Sequence, residues 1–195
     1  MTLISALKNI HAKGLFGDYE GKDEKNLLKI FENKNLLIVQ IVKYKNSSIS
    51  AENIKIDNLN FKNEALSVSK NDDTRILWSG PNNWLLISNK KQILNEVLEK
   101  TDEMNFAITD LSHSRAIIEL EGKSAKEVLK KGCPYNFNEL KKDNCLNSTF
   151  NGISVMIDVL NENPEKIRIF TLRSFGESLY HSITDSCLEF GYKSI

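Results

Sequence analysis

Aspartate, serine, histidine and arginine occur together in one short stretch of this 195-residue chain, Thr109-Asp110-Leu111-Ser112-His113-Ser114-Arg115. A serine near a histidine and an aspartate is the composition of a nucleophilic hydrolase site. Along an extended strand, however, Asp110, Ser112 and Ser114 would face one side, and His113 and Arg115 the other. Because a catalytic triad must converge in space, the stretch favours polar contacts at a strand junction, or an Arg115-to-carboxylate contact across an interface, over hydrolysis.

Two further stretches carry groups that could do chemistry. Lys131-Gly132-Cys133-Pro134 offers a thiol at the predicted end of a helix, where glycine permits a left-handed cap and proline prevents continuation. Arg173-Ser174-Phe175-Gly176-Glu177-Ser178-Leu179 predicts a helix N-terminus that could hold an anion. The simpler interpretation is structural in both cases. Nothing near Cys133 in sequence indicates an activated thiol, and Phe175 and Leu179 are expected to pack the helix.

The sequence contains no short motif that binds a nucleotide or a catalytic metal. The three cysteines form no C-x-x-C pair, which predicts buried free thiols in place of disulfides or a zinc site (Cys133, Cys145 and Cys187). A G-x-G-x-x-G loop, a phosphate-binding loop and an H-E-x-x-H motif are also missing from the sequence. The residues therefore predict a protein without the groups of an independent enzyme.

Charge and hydropathy exclude two classes of partner. Basic and acidic residues balance at 26 each, so no net field attracts nucleic acid or an acidic membrane. The longest apolar run, over 36–42, contains Gln40 and is far too short to cross a bilayer. The N-terminal residues lack a long apolar stretch before a cleavage site. We therefore expect a cytoplasmic protein.

Arginine and tryptophan are rare, and their positions are informative. The chain has four arginines, Arg75, Arg115, Arg168 and Arg173, in an otherwise lysine-based set of cations. A guanidinium can form bidentate or partly buried contacts that an ammonium cannot, so each arginine is a candidate for a geometric role.

Both tryptophans, Trp78 and Trp84, flank the turn Ser79-Gly80-Pro81-Asn82-Asn83. Glycine and proline there predict a hairpin with strands over 75–79 and 84–88. We interpret the tryptophans as packing residues of that hairpin, with a contact surface as the alternative.

The elements that must position these residues form an α+β pattern. Residues 1–34 are predicted to be an N-terminal arm, partly helical or irregular, and residues 35–195 a single α+β domain of two halves, about 35–111 and 112–195. Each half alternates strands with amphipathic helices, which predicts two fused ferredoxin-like, or split βαβ, units. Predicted helices cover 51–59, 92–100, 125–131 and 174–190, with Ser50, Asn89, Ser124 and Ser174 as caps. Besides the hairpin, predicted strands cover 36–44, 66–69, 106–111, 116–122, 148–150, 153–160 and 166–172.

Four stretches, taken in order, resemble the gamma subunit of heterotetrameric sarcosine oxidase. They are the tryptophan hairpin over 78–86, Asp110-Leu111-Ser112-His113-Ser114-Arg115, Lys131-Gly132-Cys133-Pro134 and the stretch over 173–179. The resemblance covers residues 76–190. The stretch from Asp110 through Gly122 to Gly132 is also similar to the opening unit of the folate-binding aminomethyltransferase (glycine-cleavage T-protein) superfamily. The implied fold is the folate-binding domain of that superfamily, in agreement with the split βαβ pattern.

The resemblance implies a non-catalytic subunit of an oxidoreductase complex. That complex oxidises sarcosine to glycine and passes the one-carbon unit to tetrahydrofolate or releases formaldehyde. The resemblance implies partner alpha, beta and delta subunits, with alpha the closest. FAD, FMN, NAD, folate and zinc are then expected in the partners, and no cofactor, metal or catalytic residue in this chain. We expect Trp84, Arg115 and Arg173 to contact a partner, because aromatics and arginine dominate interface energetics.

Two positions limit the resemblance. Asn83 stands where gamma subunits commonly have an acidic residue, before the second tryptophan. Asp158 lies in a region comparable to the hairpin where aminomethyltransferases place a functional carboxylate, but no role is carried over to it.

Two alternatives stay open. One is a folate-binding aminomethyltransferase-like or iron-sulfur-assembly relative that acts on its own, which the short chain makes less favoured, since such relatives usually have further domains. The other is an assembly subunit of a different flavin dehydrogenase of methylated amines.

Overall fold

The computed structural model describes residues 4–195, which divide into two compact units. Of the described residues, unit 1 comprises those up to Lys34, Ser114–Lys142 and Leu146–Ile195. Unit 2 comprises Asn35–His113 and Asp143–Cys145. A seven-stranded sheet forms the centre of unit 1 and a five-stranded sheet that of unit 2.

Strands outnumber helices in the chain. In order, the strands are β1 Gly14–Phe16, β2 Leu28–Glu32, β3 Leu37–Lys43, β4 Lys55–Ile56, β5 Leu59–Asn60, β6 Val68–Lys70, β7 Thr74–Gly80, β8 Asn83–Ser88, β9 Phe106–Asp110, β10 Arg115–Glu121, β11 Cys145–Phe150, β12 Ile153–Glu162, β13 Glu165–Leu172 and β14 Tyr192–Ser194. The α-helices are α1 Ile93–Lys100, α2 Ala125–Lys130 and α3 Gly176–Cys187. The predicted α+β class is confirmed.

The sheet of unit 2 is antiparallel, with strand order β6-β7-β8-β3-β9. Leu37, Val39 and Ile41 alternate along β3 and share one face, as the two-residue repeat of a strand requires, and Ile38 on the other face is buried as well. Helix α1 adds Ile93 and Val97, four residues apart on one helical face. The core of this unit also contains Leu37, Val39, Ile41, Phe61, Ile76, Trp84, Leu86 and Phe106.

One predicted helix of unit 2 is wrong. Residues 51–59 form a single 3-10 turn, Ala51–Asn53, followed by the short hairpin of β4 and β5. Asp57 and Asn58 connect the two strands with φ of 48° and 63°. Two consecutive residues with positive φ are typical of a two-residue hairpin turn and end any helix. Ser50, the predicted cap, makes no side-chain capping bond.

The sheet of unit 1 has the order β1-β14-β2-β10-β13-β12-β11. Its named pairings are antiparallel except for β14 with β2, which is parallel. Helices α2 and α3 contact each other and both contact β13. The strand residues that face these helices are buried, among them Ile118, Leu120, Ile167 and Ile169.

The prediction of an N-terminal arm over residues 1–34 is wrong for residues 28–32. Residues 28–32 are β2, a strand inside the seven-stranded sheet between β14 and β10. Ile30 and Leu7 have no exposed surface and Leu28 is 3% exposed, so this segment belongs to the core of unit 1. The local sequence is charge-rich around it, and the partners of β2 lie far along the chain, so local patterning did not indicate the strand.

The other helices were predicted, but their ends differ. Helix α3 ends at Cys187, and a 3-10 turn covers Leu188–Phe190. The N-cap residues are Gln92, Ser124 and Phe175, and none of them makes a side-chain capping bond. Asn89 and Ser174 were therefore wrong as caps. No helix within residues 4–195 is both long and apolar enough to span a membrane.

Candidate functional site

The Asp110–Ser112 turn at the end of β9 in unit 2 holds no triad. The Ser112 hydroxyl donates to Asp110 Oδ1 at 2.6 Å, and the Ser112 amide donates to the same oxygen at 2.9 Å. The Ile38 amide donates to the Ser112 hydroxyl at 3.0 Å, which anchors the turn to β3. Ser112 is thus bonded to a carboxylate and to the backbone, with His113 exposed. This arrangement fixes a turn and provides no activated nucleophile.

The cysteines are buried and free. Burial raises the pKa of Cys133 to about 12, against a lowering hydrogen bond with Ser148. Burial likewise raises the pKa of Cys187 to about 12, against the charge of Lys131. Both thiols are protonated at neutral pH and are poor nucleophiles. Within residues 4–195, no group of three histidine, cysteine, aspartate or glutamate residues could hold a metal ion.

The predicted tryptophan hairpin is present as β7 and β8, in which Trp78 and Trp84 are paired across the strands. Trp84 is 1% exposed, donates its indole N–H to the Lys62 carbonyl at 2.7 Å and packs edge-on against Phe61. Trp84 was therefore wrong as a partner contact, because the segment over 61–63 covers it. Asn83 accepts a hydrogen bond from Gln40 at 3.2 Å, so the position that departs from the resemblance has a neutral internal partner.

A buried charge cluster in unit 1 was missed by the sequence analysis. Glu119 is 2% exposed and accepts from Arg168 Nε at 2.8 Å and from Asn33 Nδ2 at 2.9 Å. Lys166 lies 3.6 Å from the other oxygen of Glu119. Asp158, which has no exposed surface, lies directly opposite Arg168 in the register of β12 and β13. The sequence did contain a signal for this cluster, because a charged residue stands among apolar ones in the middle of each of three strands: Glu119, Asp158 and Arg168.

Glu121 extends this cluster toward the surface. Burial would raise the pKa of Glu121, but hydrogen bonds and the charges of Lys29 and Lys166 outweigh it, and the pKa is lowered. The two ammonium groups lie 3.2 and 3.3 Å from its oxygens. The charges of this sheet face are thus neutralised within the unit, which gives the cluster a structural role.

Two of the four arginines bind a carboxylate and two do not, within residues 4–195. Arg168 binds Glu119, and in unit 2 Arg75 Nη1 binds Asp143 Oδ1 at 3.1 Å. Arg115 and Arg173 form no ion pair with any carboxylate of the described part of the chain. Arg173 donates instead to the backbone carbonyl of Ile4. Burial lowers the pKa of Arg115. Two of the three predicted contact residues are therefore cations that form no ion pair within residues 4–195.

Arg115 and Arg173 lie together in unit 1. Arg115, at the beginning of β10, is paired with Leu172, at the end of β13, so their side chains share one face of the sheet. The Arg173 amide donates to the Ser114 carbonyl at 2.8 Å, which holds the backbone of Arg173 beside the start of β10. The adjoining apolar side chains are exposed: Leu172 by 45%, Phe175 by 47% and Ile4 by 67%.

Comparison with known proteins decides the family. Residues 54–189 match the model of the sarcosine oxidase, gamma subunit family, which is more than half of the chain. The chain belongs to the sarcosine oxidase gamma subunit family. It is similar to sarcosine oxidase subunit gamma of Corynebacterium sp. (strain U-96), with 29% identity over 120 residues. The same subunit of Corynebacterium sp. (strain P-1) is 25% identical over 125 residues.

These alignments are partial. They span 60% and 64% of this chain, and 58% and 62% of the two relatives, which is less than two thirds of each relative. The predicted resemblance to the gamma subunit family is confirmed by the family match, and the matched residues include all four of the stretches that carried it.

Two solved structures share the fold. A chain of heterotetrameric sarcosine oxidase from Corynebacterium sp. U-96, in complex with pyrrole 2-carboxylate, superposes with a TM-score of 0.79 at 21% identity, over 96% of this chain and 95% of that chain. Glycine cleavage system aminomethyltransferase T from Bartonella henselae gives a TM-score of 0.65 at 14% identity, over 100% of this chain and 60% of that chain. The predicted aminomethyltransferase-like fold of this gamma subunit family member is confirmed.

Proposed function

We propose that this chain is a non-catalytic gamma subunit of a heterotetrameric sarcosine oxidase. In this role it supports assembly of the complex that oxidatively demethylates sarcosine to glycine, with one-carbon transfer to tetrahydrofolate. The observation that carries the proposal is the family match over residues 54–189. The fold likeness to a chain of heterotetrameric sarcosine oxidase, over 96% of this chain, is consistent with it.

The candidate catalytic groups support an assembly role. Ser112 is held by Asp110 and the Ile38 amide, and the thiols of Cys133 and Cys187 are buried with raised pKa values. The buried carboxylate of Glu119 is bonded to Arg168 and Asn33. Each group thus has a partner or an environment that suppresses its reactivity.

The proposal extends to partners and cofactors. Alpha, beta and delta subunits are the partners, with alpha the closest, and they hold FAD, FMN, NAD, folate and zinc. The complex acts in the cytoplasm. Arg115 and Arg173 remain the proposed contact residues of this chain, because they are the arginines without an ion pair in its described part.

Co-expression tests the assembly role. The full chain, tagged and produced with cognate alpha, beta and delta subunits, is expected to co-purify with them and to be needed for a stable complex. Omission of this chain should lower the yield of assembled, flavin-containing complex. Assembly of the other three subunits into an equally stable oxidase without this chain would contradict the proposal.

The fold likeness to an aminomethyltransferase makes folate binding by this chain the alternative to exclude. Isothermal titration calorimetry of the full chain with tetrahydrofolate is expected to give no binding heat. Saturable binding at micromolar concentrations would favour a folate-binding protein acting on its own.

A further inference from the structure

The first described residues of unit 1 lie along one face of α3. We define the N-terminal segment as residues 4–11, a turn in which the His11 amide donates to the Leu7 carbonyl at 2.9 Å. Leu7 Cδ2 lies 3.6 Å from the place that a Cβ would take on Gly176, and the His11 ring meets the Tyr180 ring edge-on with centroids 5.5 Å apart. Gly176 and Tyr180 are four residues apart on the helix and share one face. The segment therefore covers that face of α3.

Hydrogen bonds hold the beginning of the segment. The Ala6 amide donates to Glu32 Oε1 at 3.0 Å, and the Ser5 hydroxyl donates to the other oxygen of the same carboxylate. The Arg173 guanidinium donates to the Ile4 carbonyl. No strand pairing includes these residues, so the segment is attached to unit 1 by a few local contacts. Such an element can open while the sheet stays intact.

The end of the segment depends on a histidine whose ring is not fully paired. His11 Nε2 is buried and has no hydrogen-bond partner within residues 4–195. Most buried polar nitrogens in folded proteins are paired. Both ring nitrogens of an imidazolium carry an N–H, so protonation of His11 places a donor and part of a positive charge at this unpaired position. A buried donor without an acceptor destabilises the arrangement that buries it.

The charged groups around His11 do not compensate for this burial. Burial lowers the pKa of His11, the nearby Glu32 carboxylate opposes that effect, and the ammonium groups of Lys34 and Lys13 add to it. Burial raises the pKa of Tyr180, so its hydroxyl is neutral at and below neutral pH and supplies no negative charge. The packed segment therefore disfavours the protonated ring.

We propose that the N-terminal segment is an acid-sensitive cover of α3: protonation of His11 shifts residues 4–11 from the packed to a released state and exposes the helix face at Gly176 and Tyr180. The stabilisation of the packed state is complete above the pKa that His11 has when the segment is released. It is lost as the pH falls through the lower pKa of the packed state. The ordinary value of histidine, about 6.5, puts this change just below neutral pH. The device lies entirely within unit 1 and is independent of the proposed function.

Amide hydrogen exchange of the full chain, followed by NMR, tests the release. Exchange rates of the Ala6 and His11 amides are measured at pH 7.5 and 5.5, and each is divided by the intrinsic rate at that pH to give the opening equilibrium. Opening of the unaltered chain is expected to rise about threefold or more at pH 5.5, the effect of an unpaired buried donor. Ordinary carboxyl groups remain ionised at this pH, so the response reports on histidine.

Variants assign the response to the His11 ring. His11→Phe keeps an aromatic ring against Tyr180 and cannot be protonated, so its opening should be equal at the two pH values. His11→Gln is a second variant without a titratable ring, and the same result is expected. The matched control is His181→Phe, which makes the same change at an exposed residue of α3 and should keep the pH response. Circular dichroism and thermal unfolding at both pH values show whether each chain is folded.

The outcomes are distinct. The inference is supported by a pH response confined to residues 4–11, present in the unaltered and His181→Phe chains and lost in both His11 variants. Equal opening of the unaltered chain at the two pH values overturns it, as does a response that persists without His11. Loss of protection throughout β10 and α3 together with the segment would be acid unfolding of the unit and also overturns local release. The proposed function stands or fails separately, on the co-expression experiment.

Discussion

Gly176, the first residue of α3, provides the sharpest test of the packing between α3 and β10. A Cβ added at this position would lie 2.9 Å from Ala116 Cβ, 3.3 Å from Ala6 Cβ and 3.6 Å from Leu7 Cδ2. Ala116 is 2% exposed and belongs to β10, which is paired with strands on both sides. The strand cannot move away without disturbing the sheet, so the helix end must shift.

Two opposing effects decide the sign of Gly176→Ala. Gly176 has helical backbone angles, φ −55° and ψ −48°, so alanine would be favoured by up to about 1 kcal/mol from helix propensity. Overpacking a rigid contact costs about 1–3 kcal/mol. Since the first helical position realises only part of the propensity gain, we expect a net loss of about 1 kcal/mol in unfolding free energy. The melting temperature should fall by roughly 2–4 °C in a chain of this size.

Urea unfolding followed by circular dichroism measures the effect, and a double-mutant cycle assigns it. Ala116→Gly alone is expected to cost about 0.5–1 kcal/mol, because glycine weakens a strand. In combination with Gly176→Ala, it removes the clashing methyl, so the pair should be more stable than the sum of the single changes by about 1 kcal/mol. Ser178→Ala, on the exposed side of α3, is the control and should change stability by less than about 0.5 kcal/mol. A stabilising Gly176→Ala, or strict additivity in the cycle, would refute the close-contact reasoning.

Three further outcomes follow from buried and titratable groups. Glu119→Ala should lower the unfolding free energy by about 3–5 kcal/mol in urea titration, because it removes the buried carboxylate that accepts from Arg168 Nε; a loss under about 1 kcal/mol would contradict a buried pair. Burial would raise the pKa of Asp57, but hydrogen bonds from Thr74 and Asn71 and the charge of Lys90 lower it in the fold. The stabilisation from the Asp57 carboxylate is present above its unfolded-state pKa and is lost as the pH falls through its folded-state pKa. In the Asp57→Asn chain, the unfolding free energy should therefore decline less steeply with falling pH below about pH 4. Equal slopes of unfolding free energy against pH in the two chains would count against this. Cys133 and Cys187 should resist iodoacetamide at pH 8 by mass spectrometry, as only about one thiol in ten thousand would be ionised; rapid alkylation of the folded chain would be inconsistent with their burial.

Local patterning predicted the elements that carry strong periodicity. The hairpin around Pro81 and the amphipathic α1 were predicted, because turn residues and apolar spacing act within a few residues. Strand β2 was missed because it is stabilised by pairing with β10 and β14, contacts between residues distant in sequence. The Asp57-Asn58 turn was misinterpreted because its two positive φ angles were not signalled by a glycine.

The candidate site was predictable only in part. The rarity of arginine singled out Arg115 and Arg173, but the absence of an ion pair at either, among the described residues, depends on the tertiary arrangement. Trp84 shows that residue type can also suggest a contact that burial prevents. Its residue type suggested an interface, whereas the segment over 61–63 covers it and satisfies its indole N–H. Residue type indicates which side chains can dominate an interface, and burial decides which of them can reach one.

The most direct test of the assembly role is the mass of the complex formed by the full chain. Native mass spectrometry of this chain co-expressed with cognate alpha, beta and delta subunits is predicted to give one assembly that contains one copy of each. The Arg115→Glu chain should appear mainly as free subunit under the same conditions. The Lys123→Glu chain, which makes the same charge change at an exposed residue beyond the other end of β10, should appear in the assembly. A complete oxidase mass without this chain, with the chain present only as a free species, would contradict the account.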